Sequence, residues 1–352
     1  MSAAAHRRIL VVMAMAAEAQ PLIDALTVRW GQPPVENDLE PPLPMRSHHF
    51  RRPAGGEVLL AVNGLDPVFG VDSVATQPAA LATHAGIRRL SPDLVLTVGT
   101  AGALPGRATI GQVFHVGGFR FHDRRIAGMS DGFERYGVYA RDAVTLPAPP
   151  GGVPVQTAVV STGNALNPVA EDFRIMADHG AILKEMEGAA VAWVAGLHRV
   201  PCAGVKSVTN VYTQEGIAGL AGGDSPATTP AASKEDEADQ FQRNFDRAVG
   251  ALADYVPRLL ESLMSPSRSG PSSGAGRGRA LEAPGESQGW QDRQELERLE
   301  IQAGFLGRFV RVFLDAFELV LDAALGVVDE HVGELEEGCE RAPRHPEVPG
   351  DA

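Results

Sequence analysis

The chain has 352 residues, 44% hydrophobic and 21% charged, which is the composition of a soluble globular protein with a substantial core. Its formal net charge of -13 argues against a broad nucleic-acid or anionic-membrane footprint. Cys202 and Cys339, the only cysteines, make neither a disulfide framework nor a metal-type spacing.

The first apolar run, Ile9–Met15, lacks alternation and predicts a strand buried on both faces. It is too short to span a bilayer, and no secretory pattern precedes it, so the expected location is intracellular, in the cytoplasm. Ala16–Leu26 reads as a helix with Glu18 in its first turn, and Thr27–Met45 as a Pro-rich acidic loop. A strand is expected at Glu57–Val62. A helix is expected over Asp72–Gly86, with Asp72 or Ser73 as its N-cap. Asp93–Gly99 is a buried strand ending in a Gly-Thr-Ala-Gly turn. Further strands fall at Gly111–Phe121, Gln156–Val160 and Ala203–Val208, and helices at Ala170–His179, Glu187–Leu197 and Asp236–Leu263. Gly216–Ser233 is rich in Gly, Ala, Thr and Ser and is expected to be a mobile loop.

Alternating strands and helices predict an α/β fold, with ligands gathered at the strand C-terminal ends. The domain is expected to occupy 1–263. A Ser/Gly/Pro/Arg-rich disordered linker follows at 264–289, a helical extension at 290–338 and a disordered tail at 339–352. Leu306, Val310, Phe313, Phe317, Val320 and Ala324 form a heptad-like seam suited to association through 305–328. Charged residues interrupt it, so it is not a membrane span.

Four expected strand ends carry polar chemistry: Glu18 after the first strand, Gly99–Gly102, Met186-Glu187, and Lys206–Asn210. The run Lys184–Ala192 sets carboxylates beside very small residues, which permit close backbone approach. Glu185 and Glu187 stand two apart, so on a helix only one would reach a common site. Two carboxylates over one pocket suit glycosidic cleavage: one activates water, and the other holds sugar hydroxyls as positive charge develops. A third group is needed at the leaving base.

The segments VVMAMAAEAQPL, GVDSVATQPAAL, PDLVLTVGTAGAL, GQVF with FRFHDRRI, STGNAL, KEMEGAAVAWV and VKSVTN occur in order over Arg8 to Leu260. In these the chain resembles the plant-type methylthioadenosine/adenosylhomocysteine nucleosidases of the nucleoside phosphorylase superfamily. The resemblance implies a three-layer sandwich around a central mixed β-sheet. It also implies a homodimer, no cofactor, and hydrolysis of the N-glycosidic bond of 5′-methylthioadenosine, extending in many members to S-adenosylhomocysteine, within methionine salvage. By position, Glu18 resembles the base that activates water, and Glu187 the carboxylate on the ribose hydroxyls, with Met186 beneath the ribose. Thr100, Ala101 and Gly102 would line the sugar and water side. Leu166 would wall the purine, Lys206 would lie near the water, and Phe241 would cover the 5′ substituent. His122 and Asp123 match a pair near the dimer edge.

The chain departs from the family at two acids and one insertion. The family's STGD reads Ser161-Thr162-Gly163-Asn164. The catalytic Asp after the last strand, which protonates the base, reads Asn210. The insertion is Gly216–Ser233. An asparagine amide donates a hydrogen bond but transfers no proton. Three outcomes stay open at this point: slowed cleavage of adenine nucleosides, redirection to a 6-oxopurine by hydrolysis or phosphorolysis, or an impaired nucleoside-binding homologue.

Overall fold

A computed structural model describes residues 6–126, 130–149, 155–213, 217 and 231–265, with backbone alone for 231–238. All belong to the first of two units, Met1–Pro271. The expected linker (beyond 265), the helical extension with its seam at 305–328, and the tail lie outside the described residues, as does most of the insertion.

The elements run β1 (Arg8–Met13), α1 (Ala16–Trp30), β2 (Val35–Asp38), β3 (Arg46–Arg51), β4 (Glu57–Val62), α2 (Thr76–Leu90), β5 (Leu94–Ala103) and β6 (Val113–Phe121). There follow α3 (Asp131–Val138), β7 (Arg141–Asp142), β8 (Gln156–Thr162), α4 (Ala170–Asp178), β9 (Ala181–Glu185), α5 (Gly188–Leu197), β10 (Cys202–Val211) and α6 (Ala231–Met264). The sheet is mixed. β1 is parallel to β4 and β5, and β10 is parallel to β5, whereas β10–β6, β5–β9 and β3–β4 are antiparallel. Its order is β10-β6-β8-β9-β5-β1-β4-β3-β2, and the further β10–β5 pairing closes the first five strands into a ring.

Helices cover both faces, giving the expected three layers. On one face α1 and α6 pack Leu22, Leu26, Leu252, Val256 and Leu259 against Ile9, Val11, Leu60 and Leu96. On the other, α2 and α5 pack Ala79, Ala82, Val191 and Ala195 against Leu10, Val12, Leu59 and Val95. Successive β1 residues therefore face opposite cores, which is why the run is uniformly apolar. α5 (GAAVAWVAGL) is buried over most of its circumference, and its small side chains let it lie close to sheet and α2 alike.

Three local expectations are corrected. The loop at Thr27–Met45 instead continues α1 to Trp30 and contains β2, which pairs with β3. The helix expected from Asp72 begins at Thr76, because Asp72 and Ser73 are used otherwise. The Asp72 carboxylate accepts the Ala16 N–H at 3.1 Å, and the Ser73 N–H is donated to the Gly64 carbonyl. Gly99–Gly102 is not a turn: β5 runs on to Ala103, paired with β10 across a bulge at Val208/Asn210.

Candidate active site

A cavity of about 370 Å³ opens at the C-terminal ends of β1, β5 and β10, where the strand and helix termini converge. Glu18, Thr100, Ala101, Gly102, Leu166, Met186, Glu187, Asn210 and Phe241 all line it, so nearly every site residue expected from the sequence is brought together. Lys206 is the exception: it stands behind the wall.

Glu18 enters from the first turn of α1 and is 4% exposed. Its Oε1 accepts hydrogen bonds from the Thr100 N–H at 2.9 Å and the Thr100 hydroxyl at 2.6 Å. One carboxylate oxygen is thus anchored to β5, while no described protein group donates to Oε2.

The Lys184–Ala192 run straddles a strand and a helix. Lys184 and Glu185 end β9, Glu187 is the N-cap residue of α5, and both glutamates reach the cavity. This corrects the expectation that only one would, because the two do not share a helix. Glu185 accepts the Gly188 N–H at 2.7 Å and the Glu187 N–H at 3.1 Å, occupying the positive end of α5. Gly188 makes this possible: a Cβ there would stand 3.1 Å from Glu185 Oε2. The Thr162 hydroxyl also donates to Glu185, and accepts the Ala189 N–H at 2.9 Å.

Lys206, from β10, reaches Glu185 Oε2 at 2.9 Å with both side chains almost fully buried. Burial raises Glu185, but the Lys206 ammonium, the Thr162 hydroxyl and the Gly188 N–H together hold it below the ordinary carboxylate range. Burial opposes the charge on Lys206, and Glu185 with Glu187 outweighs it, leaving the ammonium more basic than usual. Glu187 goes the other way. Burial and the neighbouring Glu185 carboxylate push it up to about 7, against Lys206 and the Ala75 N–H that donates to its Oε1 at 2.9 Å. It keeps some open surface within the cavity, while protein encloses its other sides. Ala75 holds a φ of 78° immediately before α2, an uncommon conformation for a residue with a side chain, and this N–H to Glu187 accompanies it.

The opposite end of the cavity is less charged. The Thr209 hydroxyl donates to Asn210 Oδ1 at 3.0 Å, which leaves the Asn210 amide N–H groups to face Gly102. Tyr212, buried and edge-on to Phe173 with ring centroids 5.1 Å apart, stands beside Asn210. A Cβ on Gly102 would lie 2.8 Å from Asn210 Nδ2 and 3.0 Å from the Tyr212 hydroxyl, so a glycine is required to leave room for both. Leu166 and Phe241 supply apolar surface, with Phe241 backed by Phe245 at 5.3 Å between centroids.

The second departure has a structural place. Asn164 Oδ1 accepts from the Thr76 N–H at 3.1 Å and the Thr76 hydroxyl at 2.6 Å, and Asn164 Nδ2 donates to Asp123 at 3.2 Å. An amide serves both neighbours, whereas an acid there would set two carboxylates against each other. His122 is buried beside Ser161, 3.0 Å from its hydroxyl, and does not line the cavity. Tyr212, Val74, Lys184 and Gln242 line it without having been expected. Tyr212 carried the one available signal, an aromatic two residues past the last motif. Among the described residues no cluster of His, Cys, Asp and Glu is arranged to hold a metal ion.

Three enclosed carboxylates, one of them raised to about 7, a buried ammonium behind the wall and an amide donor form an arrangement for moving a proton onto or off a water beside a polar ligand. Sequences of the phosphorylase superfamily match residues 8–261 of this chain. The chain belongs to the phosphorylase superfamily. Two curated relatives in it are similar to this chain. One, a 5′-methylthioadenosine nucleosidase of Arabidopsis thaliana, is 34% identical over 257 residues, covering 72% of this chain and 85% of that protein. The other, a 5′-methylthioadenosine/S-adenosylhomocysteine nucleosidase of the same plant, is 34% identical over 207 residues, covering 58% and 78%. Among solved superfamily structures, apo 5′-methylthioadenosine nucleosidase of A. thaliana superposes with a TM-score of 0.59 at 30% identity. It covers 74% of this chain and 97% of that one.

Proposed function

We propose that this protein hydrolyses the N-glycosidic bond of 5′-methylthioadenosine, releasing adenine, and that it extends to S-adenosylhomocysteine. The observation that carries this reading is the pair Glu18 and Glu187 on one cavity, tied by separate hydrogen bonds to β5 and to the segment before α2. The relatives named for that reaction support it. In this reading Glu18 takes a proton from the attacking water, with Lys206 and Glu185 setting the local charge. Glu187 accepts from the ribose hydroxyls above Met186, while Thr100, Ala101 and Gly102 border the sugar. Leu166 and Phe241 enclose the base and the 5′ substituent. Asn210 steadies the leaving base by a hydrogen bond alone, so the base departs without a proton from this residue. Adenine release from 5′-methylthioadenosine without phosphate is the test.

A second reading rests on Asn210. With its Oδ1 facing the Thr209 hydroxyl, Asn210 turns its Nδ2 donors toward Gly102 on the cavity wall. Donors match a purine with a C6 carbonyl better than one with a C6 amino group. Turnover of inosine exceeding that of 5′-methylthioadenosine would favour it.

We further propose a homodimer. Leu65, Val68, Phe69 and Val71 are 56%, 80%, 78% and 59% exposed in the loop leading to the cavity residue Val74, an apolar surface that a second copy would cover. Sedimentation velocity tests this. No described helix is long and apolar enough to cross a membrane, and we propose a cytoplasmic location.

A further inference from the structure

We propose that Asn63 is a positioning residue for this site, seating one internal water between Glu18, Glu187 and Lys206. Asn63 follows β4, outside every motif that carries the family resemblance, and is fully buried at 0% exposure. Its amide N–H is donated to the Ser73 carbonyl at 2.9 Å, which fixes the side chain, while no described protein group donates to its Oδ1. A buried acceptor without a donor is costly and in native proteins is commonly met by an ordered water.

Asn63 borders a second, smaller cavity of about 10 Å³, room for one water. The polar side chains bordering it with Asn63 are Glu18, Glu187, Lys206 and Thr97. Ala14, Glu18 and Glu187 line both cavities, whereas Asn63, Gly99 and Lys206 line only the small one. The two cavities therefore meet at Glu18 and Glu187. Glu18 and Lys206 converge there: a Cβ at Gly99 would stand 3.3 Å from Glu18 Oε2 and 3.5 Å from Lys206 Nζ.

The remaining hydrogen-bond capacity matches one water. The Lys206 ammonium has three protons, and among the described residues its one hydrogen-bond partner is Glu185. Among the described groups there, the acceptors without a donor are Asn63 Oδ1, Glu18 Oε2, Glu187 Oε2 and the Thr97 hydroxyl oxygen. A water there accepts from Lys206 and donates to Asn63 Oδ1 and one carboxylate, within the usual range of partners for a buried water. Asn63 thereby acts through the water, holding the carboxylates and the Lys206 ammonium in register.

The functional part of this inference rests on the hydrolase reading; the water itself does not. The experiment is a crystal structure of the full chain, at a resolution that shows ordered waters, for wild type, Asn63→Leu and Asn63→Asp, with pH profiles of 5′-methylthioadenosine hydrolysis. In the wild type a water is expected within about 3.2 Å of both Asn63 Oδ1 and Lys206 Nζ. It is expected to persist in Asn63→Asp, which keeps an acceptor, and to be lost in Asn63→Leu. The kcat of Asn63→Leu should fall about tenfold or more. Its acidic limb should move up by about 0.5 unit, since the carboxylates lose a donor. A merely structural role would lower the melting temperature without moving that limb. A wild-type cavity without the water, or an Asn63→Leu protein with unchanged kcat and limb, overturns the proposal. Without any nucleoside turnover the crystallographic arm still decides the water, so the two failures are separable.

Discussion

Replacing Glu187 by Gln removes a carboxyl of this site whose titration is displaced upward on folding. Burial and Glu185 raise its carboxyl from 4.5 to about 7 in the folded protein. The native state thus keeps a proton that the unfolded chain releases near 4.5. Over that interval the folded state binds more protons, so stability falls as pH rises. The contribution is complete below the unfolded value and lost above about 7. The displacement corresponds to about 3 kcal/mol. Glu185, held below its ordinary value, titrates under this window and contributes with the opposite sign as pH falls. Relative to wild type, Glu187→Gln should therefore gain about 3 kcal/mol between about pH 4.5 and about pH 8, or roughly 6–12 °C in melting temperature. Thermal unfolding of both proteins across that range is the assay. The kcat/KM of the wild type should also rise through about pH 7, since an ionised Glu187 is the better acceptor for ribose hydroxyls. Melting curves that keep a constant separation between the two proteins at every pH would refute the reasoning.

Three other changes probe the same site. Glu18→Gln should lower kcat by about 10²–10⁴ with KM changed only a few-fold, as read by base release. Lys206→Met leaves the Glu185 carboxylate buried without its cation and should cost about 3–5 kcal/mol in urea unfolding; adding Glu185→Gln should recover part of that loss. Gly102→Ala puts a methyl group 2.8 Å from Asn210 Nδ2 and against Tyr212. It should raise KM about tenfold or more while costing only about 1–3 kcal/mol of stability.

The parts of the fold legible in the sequence were those whose burial follows from the local pattern. Ile9–Met13 had to be a strand covered on both faces, and Gly188–Leu197 a helix of small residues against other surfaces. The start of α2 was not legible, because Asp72 and Ser73 resemble caps while their hydrogen bonds belong to Ala16 and Gly64. A strand end was expected at Met186-Glu187, but the extent of β9 was not legible; pairing with β5 and β8 defines it. At the site, the carboxylates and the cavity-lining residues were found through motif order. Lys206 could equally have extended to solvent, and only the structure pairs it with Glu185. Asn63 depends on tertiary burial that no local spacing encodes.

The central claim is tested most directly by incubating the purified full-length protein with 5′-methylthioadenosine in phosphate-free buffer and following the free base. Asn210→Asp is measured alongside. Adenine release by the wild type without phosphate is expected. So is an increase of about 10² or more in Asn210→Asp, where a proton donor is restored at the leaving base. No adenine from either protein would contradict the claim.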